Sequence, residues 1–432
     1  MSAPARPGNV DLQSAPISAA DGLGGERHSR ASAERDWDSN LARRTQTLGG
    51  GEITAILALA GTKDVITFSG GFPDPATFPA DSLAAIATRL ITEDPGVALQ
   101  YSATEGLAGV RDYVTDRLAA VQGQRPESAE LMITSGGIDC LELTAKTYID
   151  PGDSVVVEAP TYLGAIMAFR GYEADVHGIP VDSDGMRVEV LRDELALGLR
   201  PKLVYTIPDF QNPTGLTMSL ERRSELIMLA RQYGFLIVED VAYSDLGFEH
   251  APPASMWSMA PDVVLQAGTF SKIFCPGVRM GWAAGPAAII SRLVVAKQNS
   301  DQCSGALGQR MLEEYGRSGR LDQQLVASRA LYARRAELTG QALAAHMPEG
   351  TTWTQPDGGF YYWLTAPAGV DTVALTAAAR ERNVAYVPGR PFYPGDDGAA
   401  QMRLSYSRVA DDLIDEGIRR IADVLKSALE DK

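Results

Sequence analysis

Residues 268–282 read GTFSKIFCPGVRMGW, and this stretch decides the fold. It follows an apolar run, DVVLQA, and carries a single lysine, Lys272. Around it stand Thr269, Phe270 and Ser271, then Ile273, Phe274, Cys275, Pro276 and Gly277. A lysine ordinarily belongs on a wet surface. Lysine is scarce in this chain: it occurs only at 63, 146, 202, 272, 297, 426 and 432, and all other basic residues are arginine. A lysine in a small-residue loop at the end of a strand-like run therefore asks for a reason. The ordinary reading is a solvated loop lysine. The chemical reading is a desolvated amine of lowered pKa, fit to form a Schiff base.

Working outward, apolar strand-like runs alternate with amphipathic helical ones. ELMITSGG reads as a strand entering a glycine turn, followed by a helix in IDCLELTAKTYI. DSVVVEAP, PKLVYTIPDF, FLIVEDVAYS and GWAAGP read as further strands, and ERRSELIMLARQYG as a helix closed by Gly234. Continuous apolar strands separated by helices predict a mostly parallel sheet covered on both faces. After about residue 305 the pattern changes to a long helix around LDQQLVASRALYARRAELTGQALAAHM. It is followed by GGFYYWL, VAYVPG and QMRLSYS among helices, which predicts a smaller α+β lobe. Residues 1–44, rich in Ala, Ser, Gly, Pro and Arg, read as a flexible leader.

Composition narrows the function. The chain has 432 residues and a formal net charge of −16. That field disfavours a general nucleic-acid or membrane-surface binder, both of which present anions. No apolar run is long enough to span a bilayer, and no signal peptide is visible. Three widely spaced cysteines, Cys140, Cys275 and Cys303, fit a reducing, cytoplasmic setting. Four scattered histidines give no HExxH and no metal cluster, so no metal site is expected.

Parallel α/β sheets bind ligands at the carboxyl ends of their strands, and several chemistry-bearing residues stand at such ends. TSGG (134–137) precedes a helix, where free N–H groups and the helix dipole suit a phosphate. PDFQNPTG (208–215) is explained by turn geometry in its Pro and Gly, but not in Gln211 and Asn212. VEDVAYSDL ends a strand in Glu239-Asp240; a buried carboxylate there needs a partner. Together, a strand-end Asp, a loop lysine and a Gly-rich cradle are the parts pyridoxal 5′-phosphate (PLP) requires.

The chain resembles the fold-type-I PLP-dependent aminotransferases of class I/II, in the branch of aminoadipate and kynurenine aminotransferases and MocR aminotransferase domains. FSGGFPDPATFP, LQYSATEGLAGVRDYV, ITSGGIDCLEL, EAPTYLGAI, IPDFQNPTG, VEDVAYSDL, GTFSKIFCPGVRMGW, DGGFYYWL and MRLSYS carry the likeness, in family order from about Thr45 onward. The resemblance implies an aspartate-aminotransferase-like α/β fold: a mostly parallel, seven-stranded-type sheet in a large PLP domain (76–305). A smaller α+β domain would comprise 45–75 and 306–432.

It also implies roles. Lys272 matches the Schiff-base lysine and Asp240 the partner of the pyridine nitrogen. Asn212 and Tyr243 match donors to the ring's phenolic oxygen, and Tyr162 the aromatic stacked on the ring. Ser135, Gly136, Gly137, Ser271 and Arg279 match the phosphate shell. Many relatives carry Ser-Gln where this chain has Gly137 and Ile138, so backbone amides are expected to do more here. Tyr101 matches a tyrosine that reaches the phosphate across a homodimer interface. Arg403 matches the clamp for the substrate α-carboxylate, and Gly70 and Gly71 a loop over the substrate. Arg43, Arg44, Phe72, Tyr361 and Tyr362 are candidates for the side-chain pocket.

The activity implied is transfer of an amino group from an L-amino acid to a 2-oxo acid. Another PLP reaction (lyase, decarboxylase, oxidase or cyclase) uses the same residues and is the alternative. A MocR-like sensing module would call for an N-terminal winged helix, which residues 1–44 do not suggest.

Overall fold

A computed structural model describes residues 37–47 and 64–430. By contacts the chain divides into Met1–Ala42 and Arg43–Lys432. Of the first unit, Asp38–Asn40 form one 3-10 turn; the leader expected over 1–44 otherwise lies mostly outside the described residues. So does most of the 45–75 segment, from 48 to 63.

In the second unit the strands, in chain order, are β1 (Ile66–Thr67), β2 (Leu131–Thr134), β3 (Ser154–Ala159), β4 (Asp175–Asp182), β5 (Gly185–Met186), β6 (Leu203–Thr206) and β7 (Leu236–Asp240). They continue as β8 (Val264–Thr269), β9 (Gly281–Ala284), β10 (Thr352–Trp353), β11 (Tyr361–Thr365), β12 (Val384–Ala385), β13 (Val387–Pro388) and β14 (Gln401–Ser405). The main sheet has the order β2-β9-β8-β7-β6-β3-β4-β5. β4, β3, β6, β7 and β8 pair in parallel. β9 runs against both neighbours, β8 and β2. The expected seven-stranded, mostly parallel sheet is thus present, extended by the two-residue hairpin strand β5.

The central strands β6, β7 and β8 are buried along their whole length, as their apolar runs require. Helices cover both faces. The helix Leu220–Tyr233 follows the written signals: Ser219 caps its start by accepting from Arg222 N, and Gly234 ends it at φ 78°. β4 has no such run. It lies near the sheet edge with most side chains half-buried or exposed, so DVHGIPVD gives little apolar signal.

A second, antiparallel sheet has the order β10-β11-β14-β13. Its register sets Trp363 opposite Arg403 and Tyr362 opposite Leu404. β1 and β12 form a short parallel pair.

Candidate active site

The site lies along one edge of the main sheet. β2, β3, β6, β7 and β8 each end there, and the following residues are respectively Ser135–Gly137, Pro160–Tyr162, Pro208–Asn212, Val241–Tyr243 and Phe270–Lys272. β9 runs the other way, so its start faces the same edge. A 3-10 turn, Pro276–Val278, delivers Arg279 in a left-handed conformation, φ 58°, just before β9. The glycine of the opening stretch is dictated by packing. Gly268 faces Trp282 across the β8–β9 pair, and a Cβ would meet the indole at 2.0 Å.

These ends enclose a cavity of about 290 Å³. It is lined by Gly71, Phe72, Gly137, Ile138, Tyr162, Asn212, Asp240, Tyr243, Ser271, Lys272, Arg279, Tyr361 and Arg403, with Leu163, Ile207, Ala242, Thr269 and Pro276 between them. Twelve of these were singled out from the sequence as site or pocket candidates.

Lys272 keeps some exposed surface, but protein atoms surround its amine. Nζ donates to the Gly71 carbonyl at 2.8 Å and stands 5.9 Å from the Tyr243 ring centre. Burial, and then the nearby Arg403 guanidinium, lower its pKa to about 8; Asp240 opposes this. Asp240 is buried, accepts from Tyr205 Oη at 2.9 Å and from Ala242 N at 3.1 Å, and is pushed up by burial to about 6. Tyr205 escaped the sequence reading. Its signal was a hydroxyl inside the buried run LVYT, where a tyrosine needs a polar partner.

Arg403 is 4% exposed. Nη1 donates to Asn212 Oδ1 at 2.9 Å and Nη2 to Ser69 O at 2.7 Å. The guanidinium lies 4.5 Å from the Tyr361 ring centre and 4.9 Å from that of Phe392. Its Nε is buried without a hydrogen-bond partner. Tyr361 and Tyr243 share a hydroxyl contact of 2.8 Å, and burial holds the Tyr243 phenol well above its usual pKa.

At the other end of the cavity the helix Gly137–Tyr148 begins with no side-chain cap at Gly136. Gly136 sits at φ 98°, and a Cβ there would meet Arg279 Nη2 at 2.6 Å. The Arg279 guanidinium donates to Ser135 O at 3.1 Å. Ser271 faces the same corner, its hydroxyl accepting from Thr269 Oγ1 at 3.0 Å.

The structure does not bring every sequence candidate here. Ser135 lies outside the lining: its hydroxyl contacts Asp301 at 2.8 Å and Ser304 at 3.2 Å. The buried Lys297 amine joins this group at Asp139 and Asp301, both at 2.8 Å. Tyr362 points away, because successive side chains of a strand face opposite sides. Tyr361 takes the cavity side of β11, and the Tyr362 hydroxyl donates to Ala336 O at 3.0 Å. Tyr101 is 79% exposed. Arg43 is paired with Glu173 at 2.8 Å. Gly70 packs on Phe72 outside the lining. Arg44 is also outside it.

The residues present fit PLP. A helix start with uncapped amides, a glycine whose side chain would displace Arg279, and a serine beside it form a phosphate cradle. A buried carboxylate stands within the same cavity as an amine of lowered pKa. Among the described residues no cluster of metal-ligating side chains occurs, and no helix is long and apolar enough to cross a membrane.

Comparison with known proteins agrees with this geometry. The family model for aminotransferase class I and II matches residues 63–421. Aromatic-amino-acid aminotransferase 1 of Thermococcus litoralis is 37% identical over 401 residues, covering 91% of this chain and 96% of that protein. The crystal structure of a multiple substrate aminotransferase from Thermococcus profundus superposes with a TM-score of 0.88 at 37% identity, covering 92% of this chain and all of that one. An α-aminoadipate aminotransferase from Thermus thermophilus, solved with N-(5′-phosphopyridoxyl)-L-leucine, gives 0.85 at 34% identity, covering 91% and 99%. The cavity and these matches make the chain a member of the class I and II aminotransferases, PLP-dependent fold-type-I enzymes that move an amino group between an amino acid and a 2-oxo acid.

Proposed function

We propose that Lys272 carries the cofactor and moves the proton at the substrate Cα. The single observation behind this is its amine: enclosed in the cavity, held on the Gly71 carbonyl, and lowered to about 8. A lysine whose pKa is about 8 is neutral often enough near neutrality to act as a nucleophile and as a base, which an amine of pKa 10.5 is not. PLP, when bound, supplies the electron sink for the carbanion formed at Cα.

The other residues bind and orient. Asp240 is the partner for the ring nitrogen. Burial raises its pKa, whereas a cation placed against it favours the carboxylate; Tyr205 and the Ala242 amide hold that carboxylate in place. Asn212 and Tyr243 supply donors to the phenolic oxygen, and Tyr162 a wall for the ring. Gly136, Gly137, Ser271 and Arg279 hold the phosphate. Arg403 takes the substrate α-carboxylate, its Nε being the guanidinium nitrogen without a partner. Gly71 is the loop residue beside it. With PLP bound, a fixed carboxylate clamp would orient the substrate so that its Cα proton, rather than its carboxylate, is presented for removal.

The side-chain pocket favours large apolar or aromatic amino acids. Phe72, Leu163, Ile207 and Tyr361 give the cavity apolar and aromatic walls. Arg43, a candidate for a second carboxylate, is engaged by Glu173 instead. The aromatic name of one relative supports the same preference. We further propose a homodimer in which Tyr101 reaches the neighbouring phosphate site; its 79% exposure in one chain supports this. Residues 76–305 would form the cofactor-binding lobe and 306–432, with 45–75, the smaller one.

The test is a half-reaction screen watched by absorbance. Phenylalanine, tyrosine and leucine are expected to convert the enzyme to its pyridoxamine form with release of the 2-oxo acid, faster than aspartate or glutamate. Release of ammonia or carbon dioxide in place of the 2-oxo acid would overturn the proposal.

A further inference from the structure

The turn after β6 holds a glutamine, Gln211, that none of the roles above uses. It is 3% exposed and fully engaged. Nε2 donates to Glu158 Oε2 at 2.9 Å and to Pro160 O at 2.8 Å. Oε1 accepts from Thr214 N at 3.1 Å and from Thr214 Oγ1 at 2.6 Å. The backbone closes the same turn, with Gln211 N on Leu216 O at 2.8 Å and Gly215 N on Gln211 O at 2.6 Å.

Glu158, the penultimate residue of β3, is 1% exposed. Besides Gln211 it receives Thr206 Oγ1 at 2.6 Å and Ile207 N at 3.2 Å. All three donors are neutral. Burial is the largest influence on this carboxyl and pushes its pKa to about 7. A carboxyl buried among neutral donors carries a desolvation cost. What sets Glu158 apart is which elements its bonds join. They tie the end of β3, which leads through Pro160 to Tyr162, to the end of β6 and the turn that carries Asn212. Asn212 in turn accepts from Arg403.

We propose that Glu158 and Gln211 are positioning residues for this site: one buried carboxyl and one amide fix the spacing between the Tyr162 loop and the Asn212 turn. The inference rests on the proposed roles of those two residues. Neither Glu158 nor Gln211 lines the cavity, so neither touches the cofactor or the substrate.

Two readouts other than turnover test it: the PLP dissociation constant of the apoprotein, followed by tryptophan fluorescence, and the pH midpoint of the holoenzyme's visible absorbance. Glu158→Gln keeps size and loses an acceptor; Gln211→Met keeps length and loses both ends. Each is expected to weaken PLP binding about fivefold or more, the effect of about one hydrogen bond. Each should also displace the midpoint in the same direction as Asn212→Ala. Glu239→Gln is the comparison. That carboxyl is equally buried, bonded to Met256 N, Trp257 N and Gln266 Nε2, and is expected to lower melting without moving the midpoint. If Asn212→Ala moves the midpoint but Glu158→Gln and Gln211→Met leave it and the affinity as in the wild type, the inference falls alone. If Asn212→Ala and Tyr162→Ala are themselves silent, the assigned roles fall and the inference with them. Should Glu158→Gln fail to fold, Gln211→Met decides.

Discussion

At the scale of the residue, two groups have been moved toward neutrality in opposite senses. Lys272 is lowered from 10.5 to about 8 and Asp240 raised from 3.8 to about 6, both chiefly by burial. For Asp240 the folded pKa lies above the unfolded one. Its contribution to the stability of the apoprotein is therefore fully present below about 3.8 and lost as pH rises through about 6. Asp240→Asn should accordingly stabilise the apoprotein at pH 8 by up to about 3 kcal/mol, with little effect at pH 4, in denaturant unfolding at the two pH values. The same substitution should lower turnover by about a hundredfold or more, since the ring nitrogen would lose the charged partner proposed for it. Arg403→Lys tests the clamp. A point charge cannot replace a planar fork, so KM for the amino acid should rise about tenfold or more in steady-state kinetics. Lys272 and Asp240 were legible in the sequence because each stands beside a strand end marked by an apolar run, whereas the roles of Asn212, Tyr162, Tyr243, Arg279 and Arg403 came from family likeness. Tyr205 and Glu158 were not legible, because residues inside such runs read as core. Tyr361 and Tyr362 were indistinguishable until the register of β11 fixed which one faces inward.

At the scale of the element, the Ser135–Gly137 junction between β2 and its helix is the most exacting. Gly136 combines φ 98° with a space already filled by Arg279. Gly136→Ala therefore meets backbone strain of about 1–3 kcal/mol and a displaced guanidinium. The expected result is a lower melting temperature of the apoprotein and weaker PLP binding in fluorescence titration; unchanged affinity would separate Arg279 from the phosphate. Element identity was readable wherever burial is two-sided. β8 and the helix Leu220–Tyr233 appear as their sequences indicate. β4 was not readable, since a strand near the sheet edge with half-buried side chains lacks the continuous apolar run. The reversal of β9 was also hidden. GWAAGP is as apolar as a parallel strand, and only its pairing with β8 and β2 reveals its direction.

At the scale of the whole molecule, the proposed dimer makes a sharp claim about where Tyr101 works. Lys272→Ala and Tyr101→Ala proteins, mixed under conditions that exchange subunits, should regain activity. The mixed dimer has one site with both Lys272 and a partner's intact tyrosine, so activity should exceed the sum of the separate proteins. No recovery would place Tyr101 in its own site or in none. Sequence alone indicates such an arrangement only through family likeness, because a tyrosine 79% exposed in one chain has no local signature of its use. The central claim is that one lysine among those of this chain holds the cofactor. Borohydride reduction of the PLP-loaded protein followed by peptide mapping tests it most directly. The account predicts a pyridoxyl label on Lys272 and none on the buried Lys297; a label on any other lysine would contradict it.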